Sequence, residues 1–412
     1  MPKTGAGLLA LIGPGVLVAA TGVGAGDLAT AGFAGQRLGV AVAWAVVVGA
    51  LVKLVLNESL ARWQLATGET IIEGIVRRLG PVAWACLMLY LLFWTWFVGA
   101  ALMSACGAVI SAMTPGPDST VLQSPVFYGI GCSALGVALV LAGGFKFFER
   151  LMALCIGFMF VAVILAAVIR LDDPLALLGG LAIPRVPEAG GDGLDWTVAL
   201  AGGVGGTLTI VCYSYWMRES GRTEVEDLKR CRTDIIVAYS MTAVFGVAML
   251  VIASGLNADG RGSVLIAGLA ESLGDEIGAW ARWVFLVGAL GAVFSSLLGV
   301  WQSVPYVFAD LVRLRPPTKV IREPVSTRSL TYRIYLFWIA FTPIGGLFVT
   351  FGAIQKWYAI VGAFFIPVLG LCLVLLNNRR ELGTLRNGWM ANAVLIASVG
   401  ALLWAAIYLV AW

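Results

Sequence analysis

Apolar residues run along this chain in eleven stretches of about 20, each long enough to cross a hydrocarbon core as a helix, and charged residues collect between them. The stretches lie near residues 8–36, 39–64, 83–112, 125–143, 149–170, 195–217, 234–256, 279–306, 330–351, 356–376 and 389–411. The first and the sixth carry glycine runs that a continuous helix disfavours. These are Thr21-Gly22-Val23-Gly24-Ala25-Gly26-Asp27 and Gly202-Gly203-Val204-Gly205-Gly206-Thr207-Leu208-Thr209. The pattern predicts eleven membrane helices, with helices one and six broken. Spans one to five (1–170) and six to ten (195–376) share a layout, each set opening on its broken helix. That predicts a 5+5 inverted repeat with an extra helix over 389–411, all within one transmembrane domain, 1–412. Short polar helices or turns are expected at Gly68–Gly74 and Thr223–Lys229.

Composition narrows the class. With 60% hydrophobic and 12% charged residues, the chain has about half the charge of a soluble domain, and it is expected to be an integral, multi-pass protein of the plasma (inner) membrane. Met1-Pro2-Lys3-Thr4-Gly5 is too short for the charged leader of a cleaved signal, so the first span is expected to persist. Of the 27 Lys and Arg, 20 fall on one side if the N-terminus is cytoplasmic, among them Arg62, Arg77, Arg78, Arg218, Arg222 and Arg313. Six fall on the other side, and Lys53 lies inside a span. This division sets the N-terminus inside and accounts for the net charge of +4 without a nucleic-acid partner. Outer-loop acids such as Asp172, Asp173, Asp259 and Glu271 read as solvated. The seven cysteines show no CxxC spacing and read as apolar packing, and the absence of histidine removes the usual proton carrier. No phosphate-binding Gly-Lys-Ser/Thr loop is present, which argues against an ATP-driven pump.

Unwound backbone at bilayer depth is tolerated only where protein or a water-filled cavity replaces its helical partners. Paired breaks in two halves therefore point to a secondary transporter. Asp27 is the sharpest candidate, as the only acid of the first span. A carboxylate at the bilayer centre costs roughly 2.5–3.5 kcal/mol on insertion scales. It is also placed to cap the second half-helix. Thr207, Thr209, Cys212, Tyr213, Ser214 and Tyr215 follow the second break and offer mainly oxygen, which suits hard cations. Lys53 is expected to pair with Asp27 or Glu58, or to line a polar channel. Trp44, Trp63, Trp94 and Trp96 read as anchors or packing, and Gly143-Gly144, Gly345-Gly346 and the Gly99/Met103 region as close helix contacts.

These residues resemble a known family. Gly13-Pro14-Gly15-Val16-Leu17-Val18, then Gly24-Ala25-Gly26-Asp27-Leu28-Ala29-Thr30, looks like the first helix of Nramp metal transporters. Asn57-Glu58-Ser59-Leu60-Ala61-Arg62, running on to Ala66-Thr67-Gly68, resembles their second. Ser295-Ser296, Phe364-Phe365-Ile366-Pro367 and Arg379-Arg380-Glu381-Leu382-Gly383 also match. The resemblance implies a LeuT-type fold. Carried over by position, the family's metal-binding Asp becomes Gly24, its Asn becomes Asp27, its carbonyl-donating Ala becomes Gly206 and its Met becomes Thr209, and the following Pro-His pair is missing. That departure is similar to divergent Nramp-related branches, which include magnesium transporters.

The expectation is therefore an all-α, non-enzymatic transporter of a divalent cation, magnesium or manganese favoured, by alternating access. Its metal site would comprise Gly24, Asp27, Gly206 and Thr209, with no resident cofactor. The partners expected are the transported cation and the lipid bilayer, with proton coupling left open. The alternative is a small organic acid or amino acid, held by amides of the first break.

Overall fold

A computed structural model describes residues 13–114, 124–188, 192–254, 263–315 and 325–411. Lys3 and Asp259, named above, lie outside them, as do Arg261, Lys319 and Arg322, which are counted in the division of positive charge. The described chain is helical throughout: α1 (Pro14–Gly22), α2 (Ala25–Leu38), α3 (Ala43–Thr67), α4 (Ile71–Leu79), α5 (Pro81–Met113), α6 (Pro125–Ala142), α7 (Phe145–Ile169), α8 (Pro174–Ala182), α9 (Asp192–Gly203), a 3-10 turn (Leu208–Cys212), α10 (Tyr213–Glu219), α11 (Leu228–Ala253), α12 (Ser263–Ile277), α13 (Ala279–Arg313), α14 (Leu330–Phe341), a 3-10 segment (Thr342–Phe348), α15 (Phe351–Ala363), α16 (Phe365–Asn377) and α17 (Trp389–Ala411).

Local chemistry sets many of these boundaries. Proline opens α1, α5, α6 and α8, where its missing N–H costs no hydrogen bond and its fixed φ suits the first turn. Helix α3 stops at Gly68, whose φ of 72° no β-carbon favours. Thr70 and Glu73 then cap α4 reciprocally: the Glu73 amide donates to Thr70 Oγ1 at 3.2 Å and the Thr70 amide to Glu73 Oε2 at 2.6 Å. The expected polar helix after Gly68 is thus present, and the segment at Thr223–Lys229 holds a short 3-10 turn, Val225–Asp227.

Helices one and six are broken, as predicted, and both breaks are narrower than their glycine runs. Only Val23 and Gly24 separate α1 from α2, and 204–207 separate α9 from the 3-10 turn. Eight helical stretches among the described residues are long and apolar enough to cross a membrane, judged by length and composition; one of them, Gly26–Thr67, joins the end of the first predicted span to the second. Pro14–Gly22, Leu330–Phe341 and the apolar run Trp389–Gly400 are shorter.

The half-helices sit in the middle of the bundle. Helix α1 packs against α11, α13 and α7, and α2 against α11, α9 and α15. Helix α9 packs against α2, α3 and α15. The periphery is apolar where a soluble protein would be polar. On α7, Leu154, Phe158, Val161, Leu165 and Val168 form one stripe at helical spacing, exposed by 71%, 46%, 68%, 42% and 65%. Such a continuous stripe needs lipid against it.

Some glycines differ from their sequence reading. Gly99 meets Pro343 and Gly346 meets Ala100, so these are close helix contacts. Gly143 touches only its own local turn, and Gly144 and Gly345 face open space. The pair Gly143-Gly144 joins α6 to α7; its glycines serve the connection, and no neighbouring helix packs on them.

Candidate substrate site at the two helix breaks

The two breaks face each other. A β-carbon on Gly22 would lie 2.9 Å from the carbonyl carbon and oxygen of Gly205, so only glycine permits this approach. Gly205 and Gly206 have φ of 81° and 82°. This left-handed stretch turns the chain out of α9 and presents the Gly205 amide to Asp27.

Asp27 has no exposed surface. Its Oδ1 accepts the Gly205 amide at 3.1 Å and its Oδ2 the Gly24 amide at 3.4 Å. The carboxylate thus caps α2 and ties the first break to the second. Cap and bridge are one arrangement. Gly24 immediately precedes α2, and its carbonyl accepts the Leu28 amide at 2.9 Å. A β-carbon on Gly24 would collide with the side chain of Ser296.

The last turn of α1 loses its helical acceptor role at the break, and α13 replaces the missing donors. Ser295 Oγ donates to the Ala20 carbonyl at 3.0 Å and Ser296 Oγ to the Thr21 carbonyl at 2.7 Å. Proline-free unwinding in a membrane needs such substitutes.

On the second break, Lys53 of α3 is 1% exposed and donates to the Gly202 carbonyl at 2.8 Å and also to the Val204 carbonyl. Its expected partner Glu58 instead holds Arg62 at 2.8 Å and Arg232 at 2.9 Å. Among the described residues no ion pair joins Lys53 to Asp27 either: the ammonium is held by the two carbonyls, while Asp27 accepts the amides of Gly24 and Gly205. The Gly206 carbonyl has no hydrogen-bond partner among the described residues. A β-carbon on Gly206 would collide with Thr209 Oγ1. Thr207 Oγ1 accepts the Trp94 indole N–H at 3.0 Å, and Trp94, buried completely, therefore positions the second break.

The four residues named from sequence are thereby distributed over one junction. Asp27, Gly24 and Gly206 lie where the breaks meet, and Thr209 sits beside Gly206. Cys212, Tyr213, Ser214 and Tyr215 run away from it along the 3-10 turn and α10, all buried. Tyr358 of α15 was not anticipated. It packs on Gly26, the residue before Asp27, where a β-carbon would lie 3.1 Å from its Cε1. Its position 331 residues away leaves no local sequence signal. Among the described residues, no three of His, Cys, Asp or Glu gather where they could hold a metal ion.

Around α10 the molecule is fastened by polar pairs, most of them partly buried. Arg218 Nη2 donates to Glu73 Oε2 at 2.8 Å and to the Gly68 carbonyl at 2.9 Å. Tyr215 donates to Asp310 Oδ2 at 2.8 Å, and Tyr306 to Glu219 Oε1 at 2.8 Å, with the two rings stacked 5.5 Å apart. Arg222 pairs with Asp234, whose backbone lies against Gly15 of α1.

An all-α membrane bundle of the LeuT type, with two broken helices meeting at a buried carboxylate, defines a membrane transporter class. Within that class, the chain belongs to the natural resistance-associated macrophage protein-like (Nramp) family, which it matches over residues 15–411. It is 27% identical over 356 residues to the divalent metal cation transporter MntH of Chromohalobacter salexigens, covering 78% of this chain and 77% of that one. In fold it resembles the Eremococcus coleocola manganese transporter, with a TM-score of 0.70 at 17% identity over 98% of this chain and 87% of that one. It also resembles MhsT, solved with L-phenylalanine, with a TM-score of 0.65 at 15% identity over 95% of this chain and 97% of that one.

Proposed function

We propose that this protein is a secondary transporter of divalent cations, working by alternating access. The observation that carries this reading is the Asp27 carboxylate, buried without exposure and hydrogen-bonded to both helix breaks. A charge so placed is costly unless the site returns it as binding. Asp27 supplies the anionic ligand, the carbonyls of Gly24 and Gly206 supply neutral oxygens, and Thr209 supplies a hydroxyl. The names of the relatives, a divalent metal cation transporter and a manganese transporter, support the substrate class.

With one carboxylate and no thioether or imidazole, the donor set favours a hard ion that keeps part of its water, such as magnesium or manganese. The organic-acid alternative has less support. A carboxylate substrate would need the amides of the first break, and the Gly24 amide is already given to Asp27.

The test is an uptake panel in proteoliposomes with magnesium, manganese, cadmium and small organic acids, each with and without a proton gradient. Magnesium or manganese should compete at least as well as cadmium. Thr209→Met should shift the preference toward cadmium and manganese, because a soft sulfur replaces oxygen. Tight cadmium binding that Thr209→Met leaves unchanged would refute the ligand assignment. Uptake of an organic acid with no divalent ion would favour the alternative.

The same reading sets the N-terminus in the cytoplasm, on the charge division. A reporter inserted at Gly221, an exposed position, should then score as cytoplasmic, and one inserted at Asp173 as extracytoplasmic. The reverse result would invert the topology.

A further inference from the structure

Lys53 is unlike the other buried polar groups of the junction, because it brings a full positive charge to a site proposed to bind cations. It reaches there from α3, and its ammonium is held by the carbonyls of Gly202 and Val204. These belong to the last turn of α9 and the first unwound residue, where the negative end of the helix dipole lies. Unwound carbonyls at a half-helix C-terminus commonly coordinate a cation. Here a side chain occupies them. The next amide along, that of Gly205, is given to Asp27. Three residues within the stretch 202–205 of the second break thus engage one fixed cation and one fixed anion.

We infer that Lys53 sets the charge of the transport site, as a tethered cation that offsets Asp27 and keeps the affinity for a divalent ion low enough for release. This rests on the function proposed above. With Lys53 present, the junction is neutral before substrate arrives, and a bound divalent ion lies in the field of a positive charge. Without it, Asp27 is uncompensated and only the substrate can neutralise it. A group that merely capped α9 would act in the opposite direction, since its loss would loosen the break and weaken binding.

The experiment compares the wild-type chain with Lys53→Met, Lys53→Gln and Lys53→Arg in proteoliposomes and detergent. Manganese and magnesium affinities are read by calorimetry, and KM and kcat by initial uptake rates. Lys53→Met should bind manganese about tenfold tighter or more, the scale of one fixed charge nearby in a medium of intermediate dielectric. KM and kcat should fall together, because tight binding slows release. Lys53→Arg should remain close to wild type. Lys53→Gln keeps a donor for the carbonyls while removing the charge, so it should also bind tighter even if the Met variant is poorly folded. Unchanged or weaker binding in folded Lys53→Gln would overturn the inference while leaving the transport reading intact. No divalent binding by wild type or any variant would overturn both.

Discussion

Replacing Asp27 by asparagine is expected to abolish divalent-cation uptake while leaving a folded protein in the membrane. The side chain keeps its shape, and its remaining carbonyl oxygen still accepts one of the two amides now bound, those of Gly24 and Gly205. What disappears is the negative charge. Loss of a supporting group around a metal ligand already costs roughly 10–100-fold in affinity or activity, and loss of the one anionic ligand should cost at least that. Uptake at a saturating and a low manganese concentration, with a melting curve for the same preparation, separates binding from folding. Wild-type uptake by Asp27→Asn would reduce Asp27 to a helix cap and sink the proposed site.

A comparably large effect is expected from Gly22→Val, which carries no charge and touches no proposed ligand. Its β-carbon would fall 2.9 Å from the Gly205 carbonyl group, and both sides of that contact are backbone, so neither can rotate away. Overpacking of this kind costs about 1–3 kcal/mol. Here it also separates Asp27 from the Gly205 amide. The melting temperature should drop and uptake should fall to background, with Gly22→Ala intermediate. A Gly22→Val protein that transported normally would mean the breaks need not touch during the cycle.

The glycine runs told where the helices break because glycine is the residue whose cost within a helix and freedom at positive φ both depend only on its own backbone. Asp27 was legible for a similar reason: a lone acid in an apolar span is conspicuous without knowledge of its neighbours. The partners of these residues were not legible. Lys53 meets Gly202, Trp94 meets Thr207 and Ser296 meets Thr21 across more than 100 residues, and no local periodicity encodes which helix faces which. Gly143-Gly144 was misread because a glycine pair is equally suited to a tight connection and to a helix contact. The number of spans is hardest of all to read locally. The first and ninth predicted spans contain pieces too short to cross alone, Pro14–Gly22 and Leu330–Phe341; the first is continued by α2 beyond the Val23-Gly24 break and the ninth by the 3-10 segment Thr342–Phe348.

The two serines of α13 hold the final carbonyls of α1 through hydroxyls on a different helix. Any displacement of α1 relative to α13 therefore strips two acceptors that no residue of α1 itself can satisfy, and water must take the vacated places. Motion at this seam and hydration of the junction are consequently one event. The barrier to opening then includes the work of admitting solvent to a dry interior, and osmolytes that lower water activity should hold the seam shut.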